Sequence, residues 1–265
     1  MRRPILGILG TLLVLALATP CLTTPSELRK ESGEVYDDWN LCRTRSWGGD
    51  GFFQIEGDTF RPAIVFESVG RWADIAWQVG ESLERKYSGD ELAERIFSYA
   101  RDRVRYTPDV DQFGYEEFAV NADELAEEVE NSGSGEGDCE DYAILLAVMF
   151  RAAGYRSAVV LAPGHAAALV FMPDYSRANV FWEFKGESGW IWAEATGRNN
   201  PLGWTPSEFI GSSDLLAYEI TPDEEIFAAG EGQVTKSGEE GPSLGPMPFS
   251  SIIFFLWILP MLRRR

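Results

Sequence analysis

From Ala143 to Phe150 the chain is apolar without interruption, through Ile144, Leu145, Leu146, Ala147, Val148 and Met149. A helix apolar on nearly all sides has no face to offer water and belongs in the middle of its domain. The flexible breaker Asn131-Ser132-Gly133-Ser134-Gly135 precedes this run, and Gly154 after it offers a C-cap. Any fold for this chain must therefore wrap other elements around a central helix that begins near Asp138.

Helical signals lie before that run. Val69 to Tyr87 reads as one helix, and Ser88 with Glu91 is a capping-box signature for a second that reaches about Arg103. Its buried stripe is Leu92, Ile96, Phe97, Ala100 and Val104. Pro108 ends it, and Arg105 to Asn121 reads as a loop able to line a cleft. Asn121 with Glu124 is another capping box, for a short helix from Ala122 to Glu130.

Strand signals lie after the run. Ser157 to Leu161, His165 to Met172, Asn179 to Phe184 and Trp190 to Glu194 are short β-branched or aromatic stretches. Pro163-Gly164, Pro173-Asp174 and Gly186 to Gly189 divide them, which predicts antiparallel strands joined by tight turns. Helices first and strands second make an α+β domain, a buried central helix packed on an antiparallel sheet.

The expected organisation is a signal peptide at 1–22, an irregular N-terminal segment at 23–68, the folded domain at 69–221, a flexible linker at 222–248 and a C-terminal hydrophobic anchor with a basic tail at 249–265. The signal reading rests on Met1-Arg2-Arg3 followed by an apolar run from Ile5 to Ala18. That run is shorter than the roughly 20 residues of a membrane span, so cleavage is expected over anchoring. Phe249 to Leu262 followed by Arg263-Arg264-Arg265 places a basic end in the cytoplasm and the body outside, whether the tail is kept or exchanged for a lipid. An exported, membrane-anchored surface protein is the expectation.

With 42 acidic against 23 basic residues, the net charge of -19 disfavours phosphate neutralisation, and no nucleic-acid partner is expected. The lysines are only Lys30, Lys86, Lys185 and Lys236, so an acidic, strongly hydrated surface is expected.

Cys139 falls in the first turn of the central helix, where the macrodipole lowers a thiol pKa. Position alone leaves it a small buried hydrophobe, or half of a bridge to Cys42. A catalytic thiol also needs a base, and His165 is the only histidine in the chain. Strand alternation puts His165, Ala167, Leu169 and Phe171 on one face. Glu194 ends the strand that carries Trp190 and Trp192 on its own face, and a hairpin-rich sheet brings that end beside His165, where a carboxylate orients the imidazole.

Gly137-Asp138-Cys139-Glu140-Asp141-Tyr142-Ala143, then Gly164-His165, then Trp192-Ala193-Glu194-Ala195-Thr196, resembles the transglutaminase-like superfamily over about residues 69 to 200. The resemblance implies a papain-like fold and a Cys139-His165-Glu194 triad, with Glu194 where the family more often has Asp. It implies a thiol peptidase, amidase or transglutaminase-type acyltransferase that works through a thioester, with hydrolysis expected over crosslinking. A protein or peptide is the implied substrate. The rival is a non-catalytic module of the same fold that binds surface proteins or cell-wall material.

The backbone N–H of Cys139 is one expected oxyanion donor, with Gln112 and Asn121 as candidates for the second. Asp138, Glu140 and Asp141 surround the thiol, and their charge opposes its ionisation. The plain reading makes them helix-terminal acids favoured by the dipole. No cofactor is required and no metal is assigned. The Asp-Cys-Glu run is also similar to that of bacterial transglutaminase-like proteinases, which implies calcium held by Asp138 and Glu140. Trp190, Trp192, Trp204 and Tyr218 read as core in preference to a substrate groove.

Overall fold

The computed structural model describes residues 26–56, 59–67, 74–221 and 231–238. The segments expected as signal peptide and anchor lie outside the described residues. Among those residues no helix is long and apolar enough to cross a membrane.

The described residues begin with five strands, β1 (Arg29–Glu31), β2 (Glu34–Tyr36), β3 (Cys42–Gly48), β4 (Gly51–Glu56) and β5 (Thr59–Pro62), forming one sheet in sequence order. Helices α1 (Ala63–Glu67), α2 (Ile75–Glu84) and α3 (Gly89–Arg103) follow. Next come β6 (Val104–Tyr106), α4 (Asp109–Gln112), α5 (Ala122–Ser132), β7 (Gly135–Gly137) and α6 (Cys139–Ala152). The last group is β8 (Ser157–Ala162), β9 (His165–Phe171), β10 (Trp182–Phe184), β11 (Glu187–Ala193), β12 (Leu216–Glu219) and β13 (Glu231–Lys236). These last strands close into an antiparallel barrel in the order β10-β11-β9-β8-β12-β13.

Helix α6 is the apolar run. Every residue from Glu140 to Phe150 is buried, and Gly154 follows its end at φ 86°. Six large apolar side chains, Ile144, Leu145, Leu146, Val148, Met149 and Phe150, have no exposure. Each contributes roughly 1.5–3 kcal/mol by leaving water. Truncating one of them, as in Leu146→Ala, costs about 2–5 kcal/mol, comparable with the whole stability of an ordinary domain.

The period-two pattern of β9 divides two cores. Ala166, Ala168 and Val170 face α6, while Ala167 and Leu169 join Trp182, Phe184, Trp190 and Trp192 inside the barrel. Of the aromatics read as core, Trp190, Trp192 and Tyr218 are core, whereas Trp204 is half-buried and belongs to neither cluster. The β10–β11 turn sits at Lys185 and Gly186, with φ of 53° and 75°, so Glu187 to Gly189 are strand and not turn.

Two expected segments need correction. Residues 23–68 are not irregular between Arg29 and Pro62, because the five-stranded sheet fills them and its Leu41, Phe52, Phe53 and Phe60 share the core of α6. The strands are short, and their key inward residue is a charge. Arg43 is fully buried, with Nε 2.6 Å from Asp37 Oδ2 and Nη1 2.9 Å from Glu124 Oε2. A buried ion pair in a strand breaks the apolar alternation by which strands are recognised. The linker reading of 222–248 likewise fails at β13, whose polar composition hides one fully buried residue, Val234, and which closes the barrel between β10 and β12.

Candidate active site

The turn into α6 is held tightly. The Asp138 backbone N–H donates to Asp141 Oδ2 at 3.1 Å, and the Val120 N–H donates to Asp141 Oδ1 at 2.8 Å. A Cβ at Gly137 would lie 2.8 Å from the Asp141 Cβ, so only glycine lets the chain pass this close. Strand β7 pairs with β6, Tyr106 opposite Gly137. Cys139 is thus the first residue of a helix whose entry is fixed from two sides.

Cys139 and Cys42 are both free thiols, so there is no bridge between them, and Cys139 is partly exposed while Cys42 is buried. The backbone N–H of Ala166, the residue after His165, donates toward the Cys139 sulfur. The α6 terminus and the start of β9 therefore meet at the thiol.

His165 starts β9 with a side chain 18% exposed, and its Nε2 lies 2.6 Å from Glu194 Oε2. Glu194 is 3% exposed and fully engaged. Oε2 also accepts from Trp192 Nε1 at 3.2 Å, and Oε1 accepts from the Thr196 N–H at 3.4 Å and from the Thr196 hydroxyl. Burial would raise this carboxyl, but the His165 hydrogen bond and charge, with the Thr196 and Trp192 donors, outweigh burial and hold it below the ordinary glutamate value. The imidazole also lies flat on Phe209, with centroids 5.4 Å apart and planes 6° apart, and Phe209 stacks on Trp192 at 5.6 Å. Ring, carboxylate and two aromatic faces form one rigid unit, and the bonded Nε2 leaves Nδ1 as the nitrogen for another partner.

The family model of the transglutaminase-like superfamily matches residues 75–208 of 265. The chain belongs to that superfamily. No curated protein matches it. Cys139, His165 and Glu194 all fall inside the matched span, in a superfamily that includes cysteine peptidases and acyltransferases. Phe209 falls one residue beyond it.

The helix side of this superfamily's site has the opposite character. The Cys139 Sγ lies 3.3 Å from Glu140 Oε2, donating to it, and burial followed by the charges of Glu140 and Asp138 pushes the thiol well above its ordinary value. Asp109, Glu117 and Glu140 offer oxygens within 4.8 Å of one another, as do Asp109, Asp138 and Asp141. Asp109 is 1% exposed and Glu140 5%. Oδ1 of Asp109, Oδ1 of Asp138 and Oε1 of Glu140 are buried without a donor. Burial, then the Asp138 charge, pushes Asp109 up to about 8, and burial raises Glu117, Glu140 and Asp141 as well.

Both expected side-chain oxyanion donors have hydrogen bonds to other groups. Gln112 Nε2 donates to Thr107 O at 2.8 Å. Asn121 caps α5, its Oδ1 accepting from the Glu124 N–H at 2.9 Å and its Nδ2 donating to Ser26 Oγ at 3.2 Å. Sequence reasoning gave no role to Thr196, although it stands two residues after Glu194, and carried no sign of Phe209. Asp109 and Glu117 lie in the aperiodic acidic stretch that was read only as a loop.

Proposed function

We propose that this protein is a surface thiol enzyme that acts on amide bonds through Cys139, His165 and Glu194, on a papain-like core whose central helix carries the cysteine. The reading is carried by the His165–Glu194 pair at 2.6 Å beside the helix terminus that bears the thiol, with Ala166 N–H directed at the sulfur. Glu194 holds Nε2, so Nδ1 is the nitrogen that takes the thiol proton. The thiolate adds to the amide carbonyl carbon, and the oxyanion meets the Cys139 N–H. Collapse breaks the C–N bond as His165 protonates the leaving amine, leaving a thioester. Water, deprotonated by His165, adds to the thioester and releases a carboxylic acid and the free thiol. A second amine in place of water gives acyl transfer.

Calcium belongs to the same proposal. The donor set suits it, being carboxylate oxygen throughout with three buried oxygens lacking a donor. Asp109, Glu117 and Glu140 would hold it, with Asp138 near Asp109 and Glu140, whereas both Asp141 oxygens are already engaged. A bound cation would neutralise the acids that oppose ionisation of the thiol. Export and attachment through 249–265 are likewise proposed, and a protein or peptide outside the cell is the substrate.

Iodoacetamide labelling followed by peptide mapping tests the reading. Cys139 is expected to label far faster than Cys42 in the folded protein, and His165→Ala to remove most of the difference. Equal labelling of the two thiols in the calcium-loaded wild type would leave the non-catalytic binding module as the better account.

A further inference from the structure

Four large hydrophobic side chains are exposed among the described residues, and three of them, Tyr106, Val110 and Phe113, lie in one stretch. Their exposures are 49%, 57% and 38%. Scattered single apolar residues need no explanation, but three together beside a reactive thiol do.

The stretch is rigid and fixed to the nucleophile. Tyr106 pairs with Gly137, and the Thr107 N–H donates to Gly137 O at 3.0 Å. Helix α4 follows, with the Phe113 N–H on Asp109 O at 2.7 Å. Phe113 stacks on Phe118 at 4.0 Å, and the Phe118 N–H donates to Asp109. The Tyr106 phenol is close enough to Cys139 to feel its charge.

We propose that Tyr106, Val110 and Phe113 form the wall that receives a large apolar side chain of the peptide substrate, next to the amide that Cys139 attacks. The inference rests on the thiol-enzyme reading and adds its specificity. The occupant is a leucine- or phenylalanine-class residue without a neighbouring carboxylate, because exposed Asp111 and Glu116 repel negative charge. The same acids disfavour an anionic lipid surface at this place.

The test uses peptidyl chloromethyl ketones that differ in one side chain, Leu, Phe, Ala or Asp, and follows alkylation of Cys139 relative to iodoacetamide. The Leu and Phe reagents are expected to react about 10-fold faster than the Ala reagent, with Asp slowest. Val110→Ser combined with Phe113→Ser should shrink the Leu-to-Ala ratio to below about 3-fold, and Val110→Ile should keep it. An unchanged ratio in the double variant, or no Leu preference in the wild type, overturns the wall. If iodoacetamide fails to distinguish Cys139 from Cys42, the thiol-enzyme reading itself fails, which is a different result.

Discussion

The two halves of the site are built on opposite principles. On the barrel side, His165 and Glu194 have their polar atoms matched by Trp192 and Thr196 and their faces covered by Phe209, and the carboxyl is held below its ordinary value. On the helix side, Asp109, Glu117 and Glu140 crowd together, three oxygens lack donors, and the carboxyls and the thiol are all raised. A satisfied network is rigid without help, whereas an unsatisfied one stores repulsion that a proton or a cation must relieve. In the proposed enzyme the base is ready and the nucleophile is held back.

The harshest way to break that contrast is to remove the satisfied half. Glu194→Ala leaves His165 Nε2 without its acceptor and the Trp192 and Thr196 donors facing a void. Amide hydrolysis should fall by about 10³-fold, as expected when the group that fixes a catalytic imidazole is lost. A peptide-release assay on calcium-loaded wild type and variant checks it. A drop smaller than 10-fold would mean that Phe209 and β9 hold the ring unaided.

The next test relieves the other half. Calcium at about 100 times its Kd should stabilise the protein by about 2.7 kcal/mol, and so raise Tm by roughly 5–10 °C for a domain of this size. Glu140→Gln removes one of the orphaned oxygens' charges, so calorimetry should show the metal-free protein stabilised and the calcium response lost. No calcium shift in the wild type would leave protonation as the way these acids are accommodated.

Phe209 allows a finer test of what makes the base rigid. Phe209→Ala should lower kcat by about 10-fold with little change in KM, since it touches the imidazole and not the substrate wall. As a positioning residue it should also change the pH profile of Cys139 alkylation, and Phe209→Tyr, which keeps the stacked ring, should restore it.

The same contrast explains what could be read from sequence. The central helix was legible because apolar residues in succession have one solution, and β9 because Pro163-Gly164 and Pro173-Asp174 bound its short apolar run. His165 and Glu194 were legible because a single imidazole and a strand-end carboxylate leave few arrangements. Phe209 was not, since a stacking partner leaves no spacing rule and arrives through a non-repetitive segment. Asp109 and Glu117 were hidden for the converse reason, as acids in an acidic chain look like solvated surface until folding buries them. The N-terminal sheet was missed because Arg43, buried against Asp37 and Glu124, reads as a solvent-facing residue.

The smallest expected effect separates the halves by the sign of their pH dependence. Glu194 is depressed in the folded state, so the stability it contributes is complete above the ordinary glutamate value of 4.5 and is lost as pH falls through the lower folded value. One such group changes stability by at most about 1.4 kcal/mol per pH unit. Glu194→Gln keeps one oxygen, enough for the His165 side or the Thr196 side of the carboxylate, and cannot titrate, so relative to the wild type it should lose less Tm between pH 6 and pH 3. Raised acids on the helix side work in the other direction, gaining stability as pH falls toward the ordinary carboxyl value, but wild type and Glu194→Gln share them, so they cancel in the difference between the two curves. Parallel acid curves for wild type and Glu194→Gln would show that the 2.6 Å pair adds nothing to folding, and that the order around His165 comes from packing against Phe209 and Trp192 alone.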